Sequence, residues 1–195
     1  MGWTLQLLSP VGVPLTAITN LTSPNPVMGG IEAVVDAGGV TNQITMRVRQ
    51  DLIQVLPRCI LQYATDGLPV AAGVVVTCPP LTGPGSGPAD RDADALDRIT
   101  AVGLEQLLRE RIIGPRLFEG DFDVATIAYT LASLYAPPAI YVHSSNFPAT
   151  GHNLGLFYSP EKNLWDGLTQ LADAVPGGAR VWVDAYKALK FEANA

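Results

Sequence analysis

The sequence predicts an α+β fold: an antiparallel β-rich domain over residues 1–102, then a mixed domain with about three short helices over residues 103–195. Three observations predict it. Apolar and polar residues alternate with a period of two in the first half, as in Ile44, Met46 and Val48 against Thr45, Arg47 and Arg49. Glycine (19 residues) and proline (16) are frequent and cut that half into short segments. After Gly103 the spacing becomes helical, with Leu104, Leu107, Leu108 and Ile112 on one face.

Thr4–Leu8 and Leu15–Thr19 read as strands, and Ser23–Gly30, with Pro24, Pro26, Gly29 and Gly30, reads as a loop. Ile31–Asp36 and Thr41–Val48 follow as strands, joined by a turn at Ala37-Gly38-Gly39. Cys59–Tyr63 and Val70–Thr77 flank Thr65-Asp66-Gly67, a hairpin signal. Pro79–Ala89 is predicted as a long exposed loop, and Leu96–Val102 as the strand that follows it.

In the second half a short helix is predicted over residues 103–112 and stops at Gly114-Pro115. A second helix starts at Asp121 or Asp123, where an aspartate can cap free backbone N–H groups. It carries Val124, Ile127, Ala128, Leu131 and Tyr135 on one face and ends at Pro137-Pro138. Ala139–Val142 reads as a short strand. A third helix is expected after Ser159-Pro160, with Leu164, Leu168, Leu171 and Val175 inward and its end at Gly177-Gly178. Arg180–Asp184 and Ala188–Glu192 look like paired strands around Ala185–Lys187.

The 195 residues are 48% apolar and 15% charged. The charged share is low against the usual value of about 25%. A real core with an under-charged surface suits burial against other subunits. The net charge of −6 and the scatter of 12 Lys and Arg argue against nucleic-acid binding over the whole surface. Met1 to Leu8 has no basic region and no long apolar core, so no secretory signal is expected. The apolar runs are too short to span a bilayer. Cys59 and Cys78 read as buried free thiols.

A search for catalytic chemistry yields no site. His143 and His152 read as polar loop residues flanking Asn146–Gly151. Ser144 and Ser145 lie next to His143, but no Gly-x-Ser-x-Gly elbow is present. Cys59, Cys78, His143 and His152 lack zinc-type spacing. Asp90, Asp92 and Asp94 alternate around Arg91 like the start of a calcium loop, but Ala95 stands where glycine is needed and Ala101 where glutamate is needed. Glu119, Asp121 and Asp123 read as caps and dipole partners beside a helix start rather than an acid–base pair. Trp165 and Trp182 are expected in core packing. Trp3 is the best candidate for an intersubunit anchor. No catalytic, cofactor or metal residue is expected, and the protein is expected to work by contacts, not as an enzyme.

The order of these elements resembles the hub proteins of bacteriophage tails, both the baseplate hub and the tail-associated protein. Four pieces carry the resemblance. Ile31–Asp51, with its turn at Gly38-Gly39, is similar to the opening strands of a tube-like β-domain. Leu56-Pro57-Arg58, Asp66-Gly67 and Val74–Val76 resemble a recurring hairpin. Asp97–Arg111 resembles a strand that runs into a short helix. Phe118-Glu119-Gly120, Val124–Leu134, Phe157-Tyr158, Asn163–Pro176 and Val181–Phe191, with Trp182-Val183-Asp184, resemble the helix-bearing second domain. The match covers about residues 30–192, and its specific feature is the order.

The resemblance implies a tube-like β-barrel or sandwich domain followed by a hub domain. It implies a structural virion protein at the tail tip, forming a homo-oligomeric ring around the DNA channel, with a trimer favoured and a hexamer as the alternative. The partners implied are the tail tube, the distal tail protein and tape-measure or tip proteins, with DNA only in passage. Hubs are often longer than this chain. Three other readings stand beside it: a distal tail or baseplate adaptor with a hexameric ring, a carbohydrate-binding tip module, and a peptidoglycan hydrolase using Glu119, Asp121, His143 or His152.

Overall fold

The computed structural model describes residues 2–36, 40–49, 52–53, 55–77 and 97–194. The expected turn at Ala37-Gly38-Gly39, the Pro79–Ala89 loop, the aspartates 90, 92 and 94, and Cys78 lie outside the described residues. The chain divides into two compact units, Met1–Gly103 and Leu104–Ala195, and its class is α+β.

The first unit is built on a seven-stranded antiparallel sheet. Its strands are β1 (Trp3–Leu8), β2 (Pro14–Thr19), β3 (Val27–Val35), β4 (Thr41–Val48), β5 (Ile60–Thr65), β6 (Leu68–Thr77) and β7 (Asp97–Gly103), in the order β2-β1-β5-β6-β7-β4-β3. Rows of side chains cross the sheet in register. Leu5 meets Tyr63, which meets Ala71. Val75 meets Ala101, Ala101 meets Ile44, and Ile99 meets Met46. These residues, with Leu7, Ile18, Val27, Val48 and Leu61, form one apolar cluster on one face. The period of two seen in residues 44–49 is the origin of that face: Ile44, Met46 and Val48 are buried and Arg47 is exposed.

Two close approaches hold the middle of the sheet. A Cβ on Gly73 would sit 2.5 Å from the Val102 carbonyl oxygen, so only glycine fits there. One residue away, the Ala72 N–H donates to Oγ1 of Thr41 at 2.9 Å. That buried hydroxyl supplies an acceptor where β7 has ended. The β5–β6 turn is of the mirror-image type, with Asp66 at φ 49° and Gly67 at φ 82°. Asp66 also ties the turn to β1: its Oδ1 accepts from the Gly2 N–H at 2.9 Å.

Two expectations for this unit are corrected. Val27–Gly30 belongs to β3 rather than to a loop. Gly29 and Gly30 are absorbed at an irregularity of the β3–β4 ladder, both with positive φ. The hairpin strands also reach further than read, to Thr65 and from Leu68.

The second unit contains α1 (Glu105–Arg109), β8 (Ile112–Ile113), β9 (Arg116–Asp123), α2 (Val124–Tyr135), β10 (Asn153–Ser159), β11 (Lys162–Asn163), α3 (Leu164–Ala174), β12 (Ala179–Val183) and β13 (Leu189–Ala193). β9 pairs with β10, β8 with β11 and β12 with β13, all antiparallel. Leu107 and Leu108, Ile127, Leu131, Leu168, Leu171, Leu189 and Phe191 are buried. Phe147 stacks on Phe191 at 6.3 Å and meets Tyr129 edge-on at 5.6 Å.

Four expectations for this unit are corrected. Ile112 is not on the first helix: it lies in β8 and is exposed. The stretch before α2 is a strand, β9, because Arg116–Asp123 finds a partner in β10. Ala139–Val142 makes only an isolated bridge, Tyr141 to Ala188. The cap of α3 is Asn163, which accepts from the Asp166 N–H at 2.8 Å, four residues beyond Ser159.

The cap of α2 is Asp123. Its Oδ1 accepts from Ala125 N–H at 2.8 Å and from Thr150 N–H at 3.2 Å, and its Oδ2 accepts from Gly151 N–H at 2.9 Å. One carboxylate therefore holds both a helix start and the segment that leads into β10. Asp184 does the same for the β12–β13 connection, accepting from the Tyr186 and Ala188 N–H groups at 2.9 Å each.

Two stability outcomes follow. Gly73→Ala is expected to cost about 1–3 kcal/mol, read by thermal or urea unfolding, because the Val102 carbonyl is backbone and cannot turn aside. Asp123→Ala is expected to cost about 2 kcal/mol, more than Asp121→Ala, which removes an exposed carboxylate. Equal losses for the two aspartates would show that the cap is not specific.

Candidate assembly surface

The seven-stranded sheet has two edges, β2 and β3. Among the described residues each leaves a row of backbone N–H and C=O groups without a strand partner, which makes it a template for pairing. β2 is exposed over Pro14, Leu15, Thr16 and Ala17, and Leu15 is 56% exposed. The adjoining turns expose Val11, Val13 and Leu21. On the opposite edge β3 exposes Met28 and Val34. Pro14 and the Gly29-Gly30 irregularity blunt the ends of these edges. The middle of β2 carries no such device, and that of β3 carries the single charge of Glu32.

A second apolar area lies on the β9–β10 ribbon. Leu117 is the register partner of Tyr158, and Glu119 of Leu156. Leu117, Leu156 and Tyr158 are each more than half exposed. On the other side of the ribbon Phe118 meets Phe157 at 6.2 Å. The ribbon thus buries one aromatic face and leaves the other to solvent.

The residues weighed for chemistry do not converge. Glu119 and Asp121 stand exposed along β9, not at the helix start, so the expectation that they act as caps is corrected; Asp123 alone takes that role. His143 and Ser145 do meet, contrary to the expectation for neighbours in sequence: Nδ1 lies 2.8 Å from Oγ. The reason is a 3-10 turn over Ser144–Asn146, for which the ring nitrogen also accepts the Ser145 N–H. Both residues are exposed at the turn. His152 lies in the segment that Asp123 holds, and its carbonyl accepts the Val124 N–H at 3.0 Å. Among the described residues no three His, Cys, Asp or Glu side chains are grouped to hold a metal. Cys59 is a buried free thiol in the core of the first unit.

Two of the tryptophans, Trp165 and Trp182, are placed differently from expectation. Trp3 packs partly buried against the apolar cluster of its own sheet, which leaves only part of the indole for a neighbour. Trp165 is half-buried under the Arg109 guanidinium, 5.5 Å from the ring centre. Trp182 is not a core residue. It is half-buried, with Arg180 4.9 Å and Lys190 6.0 Å from its ring. Strand alternation turns Val183 inward and leaves Trp182 on the other side.

Burial pushes the Glu105 carboxyl above its ordinary value, against a backbone hydrogen bond and the Arg109 charge, which pull it down. Its Oε2 is buried without a hydrogen-bond partner among the described residues.

No protein-family model matches the chain, and no curated protein matches it. Solved structures do. A tail protein from Neisseria meningitidis MC58 superposes with a TM-score of 0.52 at 13% identity, over 98% of this chain and 51% of that one. The 43 kDa tail protein of prophage MuSo2 from Shewanella oneidensis superposes with a TM-score of 0.58 at 11% identity, over 97% of this chain and 53% of that one. The chain has the fold of these two tail proteins and spans about half their length. At such identities the likeness is one of fold.

The Glu105 shift sets a pH dependence. The folded state holds the proton more tightly than the unfolded chain, whose carboxyl has the ordinary value of 4.5. The group's stabilising contribution is therefore full below that pH and is lost as pH rises through the raised folded value. Glu105→Gln should raise the melting temperature at neutral pH, with the gain fading toward pH 4.5. A gain that stays constant with pH would refute this account of Glu105.

Proposed function

We propose that this chain is a structural subunit of a phage tail, acting through contacts and not as an enzyme. Within the tail we propose the hub: a ring at the tail tip that joins the tube to the tip or baseplate and surrounds the DNA channel. The observation that carries the reading is the shared fold with two tail proteins over nearly the whole chain. The sheet supports the ring, because its two edges differ in sequence and stand open at opposite ends of one strand order. Pairing β2 of one copy with β3 of the next is a heterologous contact. Such contacts close into rings when the rotation allows. Closure would also cover edges that otherwise invite aggregation. The net charge of −6 suits a channel through which DNA slides without sticking.

The test is the native mass and symmetry of the chain, alone and with the tail tube and distal tail proteins. A threefold ring is expected. A sixfold ring would move the protein to the adaptor role, and a monomer that binds no tail component would overturn the proposal. Leu15→Lys and Val34→Lys place a charge on each edge. Each should abolish ring formation while changing monomer stability by no more than about 0.5 kcal/mol, since both sites are exposed.

A further inference from the structure

The register of the first unit puts two guanidinium groups side by side on the face of its sheet opposite the apolar cluster. Arg47 of β4 is the direct partner of Arg98 of β7, and Met28 of β3 is the partner of Arg47. Both arginines are exposed. Like charges placed directly opposite destabilise a sheet. The fold does little to offset this pair. Among the described residues neither guanidinium has a carboxylate partner within ion-pair distance. The next row, Glu32–Thr45–Thr100, brings one negative charge to the same area, and the site stays net positive.

A groove of about 410 Å³ lies here, walled by Met28, Gly29 and Gly30 and reaching Glu32, Arg47 and Arg98. The ladder is irregular between Met28 and Ile31, so the two glycines stand out of register. At φ 76° and 97°, a Cβ built on either would meet nothing within 4 Å. That wall is bare backbone, open to close approach by another chain. Met28, 44% exposed, adds an apolar rim.

We propose that Arg47 and Arg98 form a carboxylate-binding site, taken by an acidic segment of a partner protein. Guanidinium forks pair with carboxylates through two parallel N–H···O bonds, and two adjacent forks fit a pair of acidic side chains. The methylene stem of a glutamate suits the Met28 rim. A nucleic-acid backbone fits less well, because it needs an extended basic track. Here two cations stand beside Glu32 on a chain of net charge −6. The two guanidinium groups lie on the sheet face, while the groove wall belongs to β3, the edge proposed to pair in the ring, so the readout is peptide binding and not ring formation.

The test uses the full chain with two labelled probes, an oligoglutamate peptide and a short DNA duplex, at low and physiological salt. The peptide is expected to bind and to raise the melting temperature. R47Q/R98Q should weaken peptide binding roughly tenfold or more, and each single variant by less. Without peptide the double variant should melt no lower than the parent, because the repulsion has been removed. Absence of peptide binding overturns the proposal, and so does binding that the double variant leaves intact. Tighter arginine-dependent binding of the duplex overturns it in favour of a phosphate site. A double variant that melts lower than the parent overturns the claim that the pair repels.

Discussion

Strand register is the constraint on which the first unit depends. Side chains alternate across a sheet with a period of two, so a slip by one residue would move a whole apolar set to the other face. Leu5, Leu61, Val75, Ala101, Ile44 and Met46 share one buried cluster because four ladders agree in register. The turn at Asp66-Gly67 sets the phase of β5 against β6, and Gly73 permits the close pass against Val102. The outward rows, Arg47 beside Arg98 among them, are the other half of the same phase. An exposed feature of this sheet is therefore as fixed as its core.

The second unit is held differently. Its sheets have two strands each, and such ribbons are marginal alone. Helix packing supplies the apolar core, and aspartates supply the joints. Asp123 and Asp184 each satisfy two or more backbone N–H groups across a change of direction. The cost of leaving such groups bare is high enough that one carboxylate can decide where a helix or turn begins. Glu105 shows the opposite case, a carboxylate whose burial lacks full compensation. The second unit thus uses the same chemical group twice as an acceptor of several donors and once at a loss.

Much of the fold was legible locally. The alternation at residues 44–49, the Asp-Gly turn, the Asp123 cap and the inward leucines of α3 each depend on neighbours within a few residues. Several of the errors share a cause, which is a strand partner outside the local window. Val27–Gly30 looks like a loop until β4 pairs with it. Arg116–Asp123 looks like a helix approach until β10 lies beside it. Trp182 looks like core until its strand partner shows which face is inward. Of the surface, only its low charge was legible. The open edges, the exposed ribbon and the arginine pair depend on which strands lie at the ends of the order and which residues oppose each other.

The sequence by itself determined the α+β class and the caps and turns that start and stop its elements. These follow from side-chain periodicity and backbone sterics, which act over a few residues. Only the tertiary structure decided the strand order β2-β1-β5-β6-β7-β4-β3, and with it which strands end the sheet. It also decided that Arg47 would face Arg98 across a ladder joining residues about fifty apart. The physical reason is that a hydrogen-bonding edge has no preference for near neighbours in the chain. It pairs with whichever strand completes the buried face.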